Sequence, residues 1–150
     1  MPDAGAQILL ALDFGLKRIG IASGDTLTRT ASPRTTIPVH AGQIDWPTLG
    51  RQITDLRPSR LVVGEPYNAD GTTSSLTDAA RSFARDLAAR FDLPVDLVDE
   101  RWSSLDAEER LREARASGTR RRRVTREAID AEAAAVILER WFDQHAHGRR

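Results

Sequence analysis

Asp13 closes an apolar run, Ile8-Leu9-Leu10-Ala11-Leu12, and the chain turns at once through Phe14-Gly15. Such a run reads as a strand buried on both faces, and an acid at its exit carries a charge out of the sheet. Val95-Asp96-Leu97-Val98 ends in the same way, in Asp99-Glu100-Arg101, and Arg60-Leu61-Val62-Val63-Gly64 runs into Glu65. A further acid, Asp130, stands at the start of a helix with one strongly apolar side. Carboxylates gathered from the ends of several core elements bind hard divalent cations. Two Mg²⁺ or Mn²⁺ ions about 4 Å apart can activate water and stabilise a leaving oxygen, which is the chemistry of phosphodiester hydrolysis.

Each acid also has a simpler explanation. Asp13 before Phe-Gly can hydrogen-bond the following amides as a turn residue. Asp130 sits where the helix dipole favours an acid. The dipole favours an acid anywhere around the first turn, however. Steps of three and four residues from Asp130 reach Ala133, Ala134, Ile137, Leu138 and Trp141, the stripe expected to face the sheet. An acid on that inward side is costly to desolvate without a cation. Asp99 and Glu100 are neighbours on a strand and point to opposite faces, so only one can share Asp13's side. The pattern leaves that choice open, and a surface pair with Arg101 would explain either acid.

The elements that must position these acids follow from periodicity and punctuation. Ile8 to Phe14 is strand one, and Arg18 to Ser23 is strand two across the short turn Gly15-Leu16-Lys17, as in an antiparallel hairpin. A third strand is expected near Arg34 to Val39, interrupted by Pro33 and Pro38. Trp46, Leu49, Ile53 and Leu56 predict a helix that ends at Arg57-Pro58. Arg60 to Gly64 predicts a buried strand opening into the turn-rich segment Pro66 to Ser74. Leu76, Ala80, Phe83, Leu87 and Phe91 predict a helix, Val95 to Val98 a strand, and Ile129 to Phe142 the last helix. Ser103 with Asp106 fits a capping box opening a short helix to about Ala116. The order β-β-β-α-β-α-β-α, with that extra short helix before the last, argues a mixed sheet flanked by helices. Neither an internal repeat nor a linker divides the chain, which predicts one domain over residues 1–150, with 1–6 and 145–150 frayed.

Composition bounds the function class. The chain has 150 residues, no cysteine and a formal net charge of zero. Disulfides and thiolate metal sites are therefore excluded. No apolar run approaches the roughly 20 residues that span a bilayer, and the N-terminus lacks the pattern of a signal peptide, so a cytoplasmic protein without membrane contact is expected. His40, His145 and His147 lie in a loop and the tail, which argues against a histidine-based site. Charge is distributed unevenly. From Arg110 to Arg126 there are eight arginines against one acid, Glu113. Such a run is commonly a solvated segment. Here Arg120, Arg121, Arg122 and Arg123 precede the helix bearing Asp130, and arginine forks suit phosphate oxygens. Lys17, Arg18 and Arg101, at strand ends, are further candidates for contact with a nucleic-acid backbone.

Together these motifs resemble the YqgF family, also called RuvX, of Holliday-junction resolvases and pre-rRNA nucleases with an RNase H-like fold. The resemblance is carried by Asp13-Phe14-Gly15-Leu16-Lys17-Arg18-Ile19-Gly20-Ile21-Ala22, and by Val62-Val63-Gly64 with Asn68-Ala69-Asp70-Gly71. It continues through Asp99-Glu100-Arg101-Trp102-Ser103-Ser104, the arginine run, and Ile129-Asp130-Ala131-Glu132-Ala133-Ala134. It implies an α/β fold with a five-stranded mixed sheet, and an acidic triad of Asp13, Glu100 and Asp130 that binds the metals. It thereby favours Glu100 over Asp99. The chain departs from the family in having Glu65 where a leucine is usual; Glu65 either joins the site, substitutes for Glu100, or is simply exposed to solvent.

The expected activity is that of a divalent-metal-dependent endonuclease. Its expected substrates are branched DNA, or structured or single-stranded RNA such as the 16S ribosomal precursor. A junction resolvase making paired cuts usually needs a homodimer, whereas RNA trimming does not. Two other classes compete. One is a non-catalytic RNA- or ribosome-associated module that keeps the fold. The other is an ATP-binding domain, suggested by Asp-x-Gly at a first hairpin. The latter needs two such domains around a cleft, and the chain has no Walker A sequence.

Overall fold

The computed structural model describes residues 6–100 and 125–147. Its centre is a six-stranded sheet in the order β4-β3-β2-β1-β5-β6. Strands β1 (Ile8–Phe14), β2 (Arg18–Asp25), β3 (Ala31–His40) and β4 (Gln43–Ile44) form an antiparallel meander. Strands β5 (Arg60–Glu65) and β6 (Val95–Asp99) add in parallel on the other side of β1. Helices α1 (Trp46–Leu56), α2 (Ser75–Phe91) and α3 (Arg126–His147) flank the sheet.

Six strands replace the expected five. The additional one, β4, is too short for alternation to reveal. It arises because Ala41 (φ 51°) and Gly42 (φ 77°) turn the chain back so that His40 pairs with Gln43. β3 is longer than its prolines suggested. Val39 N–H donates to the Lys17 carbonyl, so the position of Pro38 that lacks a donor faces away from β2, beyond the two β4 pairs, where nothing needs it. Near Pro33 the register with β2 shifts between Ile21 and Ala22. α3 runs to His147. The His145 ring stacks on Trp141 (centroids 3.8 Å apart), and its Nδ1 lies 2.9 Å from the Trp141 carbonyl. The expected helix opened by Ser103 lies outside the described residues.

Alternation sorts the strand residues into two cores. One face carries Leu10 and Leu12 of β1, Ile19 and Ile21 of β2, Ile37 and Val39 of β3, and Leu61 and Val63 of β5. Leu49 and Ile53 of α1, with Phe83, Ala84 and Leu87 of α2, pack on it. Phe14 joins through the Phe83 ring, at 4.9 Å between centroids. The opposite face presents Leu9, Ala11, Ala22, Val62 and Val98 to Ala134, Ala135, Ile137, Leu138, Trp141 and Phe142 of α3. The stripe expected from sequence, Ala133, Ala134, Ile137, Leu138 and Trp141, is buried as expected.

The two ends of α2 are built locally. Ser74 caps it, exchanging hydrogen bonds with Thr77, and the Thr77 hydroxyl also donates to the Pro66 carbonyl. That bond ties the segment after β5 to the start of the helix. At the other end, Asp92 takes the left-handed conformation (φ 55°), and its N–H closes on the Ala88 carbonyl.

Candidate active site

Asp13 lies in the central strand, opposite Gly20 of β2 and, one step beyond the Leu12–Val63 pair, level with Gly64 of β5. Counting by twos from Leu9 and Ala11 puts its side chain on the α3 face. On β6, Asp96 and Val98 share that face, the first through a 2.7 Å hydrogen bond from Trp141 Nε1. Glu100 is the next residue in that alternation, and its N–H extends the ladder to the Glu65 carbonyl. The choice that the pattern left open is therefore made by strand parity: Glu100 faces Asp13, and Asp99 falls on the other face.

Two glycines bring the third acid in. A Cβ on Gly20 would collide with the Asp130 carbonyl, so the first turns of α3 lie directly on the β2 backbone. A Cβ on Gly64 would collide with Glu100 Oε2 and with Ile137 of α3. Glycine at these two positions allows the helix and the β6 terminus to close over the end of β1. Asp130, near the start of the inward stripe, is then close enough to raise the pKa of Asp13 through its charge.

Burial dominates the electrostatics. Desolvation pushes Asp13 up to about 6, opposed by its hydrogen bond with Glu100 and reinforced by the charge of Asp130. Glu100 is pushed up to about 10, first by burial and then by the charge of Asp13. Arg140 of α3 acts in the opposite direction on Glu100. Two carboxyls so placed share a proton rather than ionise together. Glu100 Oε2 is buried and has no hydrogen-bond partner among the described residues. Its recorded side-chain neighbour is another carboxyl, Asp13, and a proton or a cation between the two would satisfy both. The carboxyl oxygens gathered here are hard donors, of the kind that Mg²⁺ or Mn²⁺ prefers.

Asp130 is differently engaged. Its Oδ2 accepts from Arg18 Nε at 2.5 Å. Among the described residues no three His, Cys, Asp or Glu side chains are gathered as a metal cage. The acids are divided between the Asp13–Glu100 pair and the Arg18–Asp130 pair.

Glu65 does not join them. It follows Leu61 and Val63 on the face covered by α2, and there Arg81 Nε donates to it at 2.5 Å while Arg81 Nη2 donates to the Tyr67 hydroxyl. Parity thus puts Glu65 and Asp99 on the face away from Asp13. The Asp99 carbonyl accepts from Arg140 Nη1 at 3.1 Å. Lys17 is exposed in the β1–β2 turn, which the Gly15 N–H closes on the Arg18 carbonyl. Arg101, Arg120, Arg121, Arg122 and Arg123 lie outside the described residues. Arg140 and Arg81 were not singled out from sequence. Arg140 sits three residues after Ile137 of the inward stripe, a spacing that marks it as a neighbour of that stripe.

The family model described as "RuvX: Holliday junction resolvase" matches residues 7–144. The chain belongs to the RuvX family. It is 43% identical to a protein of Dechloromonas aromatica named "Putative pre-16S rRNA nuclease", over 93% of this chain and 92% of that one. A relative of the same name from Xanthomonas oryzae pv. oryzae is 46% identical, covering 95% and 94%. Among solved structures, Thermus thermophilus RuvC in complex with a Holliday junction substrate matches with a TM-score of 0.56 at 16% identity, over 93% of this chain and 96% of that one. RuvC alone from that organism gives 0.54 at 15% identity, with the same coverage. This RuvX-family chain therefore has the RuvC-like, RNase H-like fold. Asp13 stands at the end of β1, between an antiparallel neighbour, β2, and a parallel one, β5.

Proposed function

We propose that this chain is a divalent-metal-dependent endonuclease that hydrolyses nucleic-acid phosphodiesters. The observation that carries the reading is the half-buried Asp13–Glu100 pair, in which Glu100 Oε2 is buried without a hydrogen-bond partner among the described residues, with the Asp130 end of α3 laid against the same strand end. Asp13, Glu100 and Asp130 would hold Mg²⁺ or Mn²⁺. When bound, such ions activate a water and neutralise charge on the leaving oxygen. Asp13 and Glu100 must give up their shared proton for this, so cation affinity and cleavage both rise with pH. Lys17 and Arg18, at the turn beside Asp13, orient the phosphate backbone, and the arginines at 101 and 120–123 extend that contact.

The curated relatives that cover nearly the whole chain carry the ribosomal name, so precursor 16S RNA is the first substrate of this reading. A branched DNA junction is the second, through the family description. On this reading the protein works in the cytoplasm, where ribosomal precursors are processed. No helix of the described residues is long and apolar enough to cross a membrane. RNA trimming is compatible with a monomer; paired junction cuts call for a homodimer, and mass in solution distinguishes them.

The test compares Mn²⁺-dependent cleavage of precursor RNA, a four-way junction and duplex DNA by wild type, Asp13→Asn and Asp130→Asn. Loss of at least about a hundred-fold in both variants is expected. Cleavage equal to wild type in both would reject the nuclease reading and leave a non-catalytic ribosome-associated module.

A further inference from the structure

Arg18 and Asp130 are 112 residues apart in sequence, yet a 2.5 Å hydrogen bond links them across β2 and the start of α3. Both side chains keep access to water, at 23% and 27% exposure. The contact can therefore be broken by a solute without opening the core. It also lies beside the Asp13–Glu100 pair, since Asp13 pairs with Gly20, two residues along β2 from Arg18.

The arrangement places two cations in competition for one carboxylate. A divalent ion on Asp130 would meet the Arg18 guanidinium already there, and like charges repel. The guanidinium is in turn a good ligand for phosphate, and the Nε edge committed to Asp130 is one that a forked phosphate contact uses. A bound strand and a bound metal both favour Arg18 leaving Asp130, the first by attracting it and the second by displacing it.

We propose that Arg18 is an exchangeable occupant of Asp130: it neutralises the acid in the strand-free protein and moves to a backbone phosphate when nucleic acid binds, which frees Asp130 for the metal. Metal and strand are thus coupled, each tightening the other by the same factor. The inference rests on the reading of Asp13, Glu100 and Asp130 as metal-binding acids. It makes Arg18 a device against metal loading in the absence of substrate.

The test reads Mn²⁺ binding directly, by the electron paramagnetic resonance of the free ion, on the full chain with and without a nuclease-resistant phosphorothioate RNA 12-mer. In wild type the RNA should tighten Mn²⁺ by roughly three- to ten-fold. Arg18→Gln should tighten strand-free Mn²⁺ by a similar factor, with the RNA then adding less than about two-fold. Asp130→Asn should weaken Mn²⁺ in both conditions. If Arg18→Gln binds strand-free Mn²⁺ no better than wild type while Asp130→Asn weakens it, the exchange is overturned and the metal reading stands. Mn²⁺ binding unaffected by Asp130→Asn overturns the metal reading and the exchange with it. Should Arg18→Gln melt well below wild type, Arg18→Lys replaces it. Lys retains the charge without the fork and should give an intermediate tightening; a value equal to wild type counts against the proposal.

Discussion

The two faces of the sheet are built from different residues. Under α1 and α2 the strands present Leu, Ile and Val, and the helices answer with Phe83, Leu87, Leu49 and Ile53. Under α3 the strands present Ala11, Ala22, Gly20, Gly24 and Gly64 among fewer large groups. The first face buries more apolar volume and is the main source of stability. The second lets a helix approach the backbone so closely that Asp130 rests on β2 and Glu100 on Gly64. Small residues there place carboxylates together at the expense of apolar burial, so the α3 face serves the site and the other face serves the fold.

Substitutions on the two faces should separate these roles. The largest effect is expected from Gly64→Val, which forces Glu100 and Ile137 outward. Cleavage should fall by about a hundred-fold or more, as misplacement by an ångström can, and turnover of precursor RNA by folded protein below its melting point measures it. Phe83→Ala on the opposite face should cost about 3–5 kcal/mol of stability, read by urea denaturation, while the residual folded protein keeps near-normal turnover. A Phe83→Ala protein that is fully folded but inactive would erase the distinction.

A subtler contrast lies within the site. Glu100 has a folded-state pKa above its unfolded value of 4.5. The native state therefore binds more protons between the two values, and metal-free stability declines as pH rises from about 4.5 toward about 10. Glu100→Gln should remove that loss. At pH 8 in chelator it should be more stable than wild type by at least about 1 kcal/mol, a rise of about 2 °C or more in melting temperature. At pH 4 the two should coincide, and cleavage should be lost at every pH. The smallest effect is expected from Glu65→Gln. It loosens the Arg81 pair on the other face, whose arginine is 36% exposed, so stability should change by less than about 1 kcal/mol and cleavage by less than about three-fold. A Glu65→Gln protein as inactive as Asp13→Asn would overturn the parity assignment.

Much of the fold was legible because its signals are local. The apolar run to Phe14 and the three- and four-residue spacing of Ala80, Phe83 and Leu87 each identify an element from one stretch of chain. β4 was not legible, since two residues carry no period. The length of β3 was obscured by Pro38, whose tolerance depends on which side of the strand β4 leaves open. In the site, Asp13 and Asp130 could be singled out because each stands at the end of an apolar pattern. Arg81 could not, because its partner Glu65 is 16 residues away on another element.

The sequence by itself determined the strands, the helices, the inward position of Asp130 and the supply of acids at element ends, because periodicity and punctuation act over a few residues. Only the tertiary structure decided that Glu100 rather than Asp99 or Glu65 meets Asp13, and that Arg18 holds Asp130. Those outcomes depend on the register between strands distant in sequence and on how closely α3 can approach the sheet, and neither is set until the chain has closed on itself.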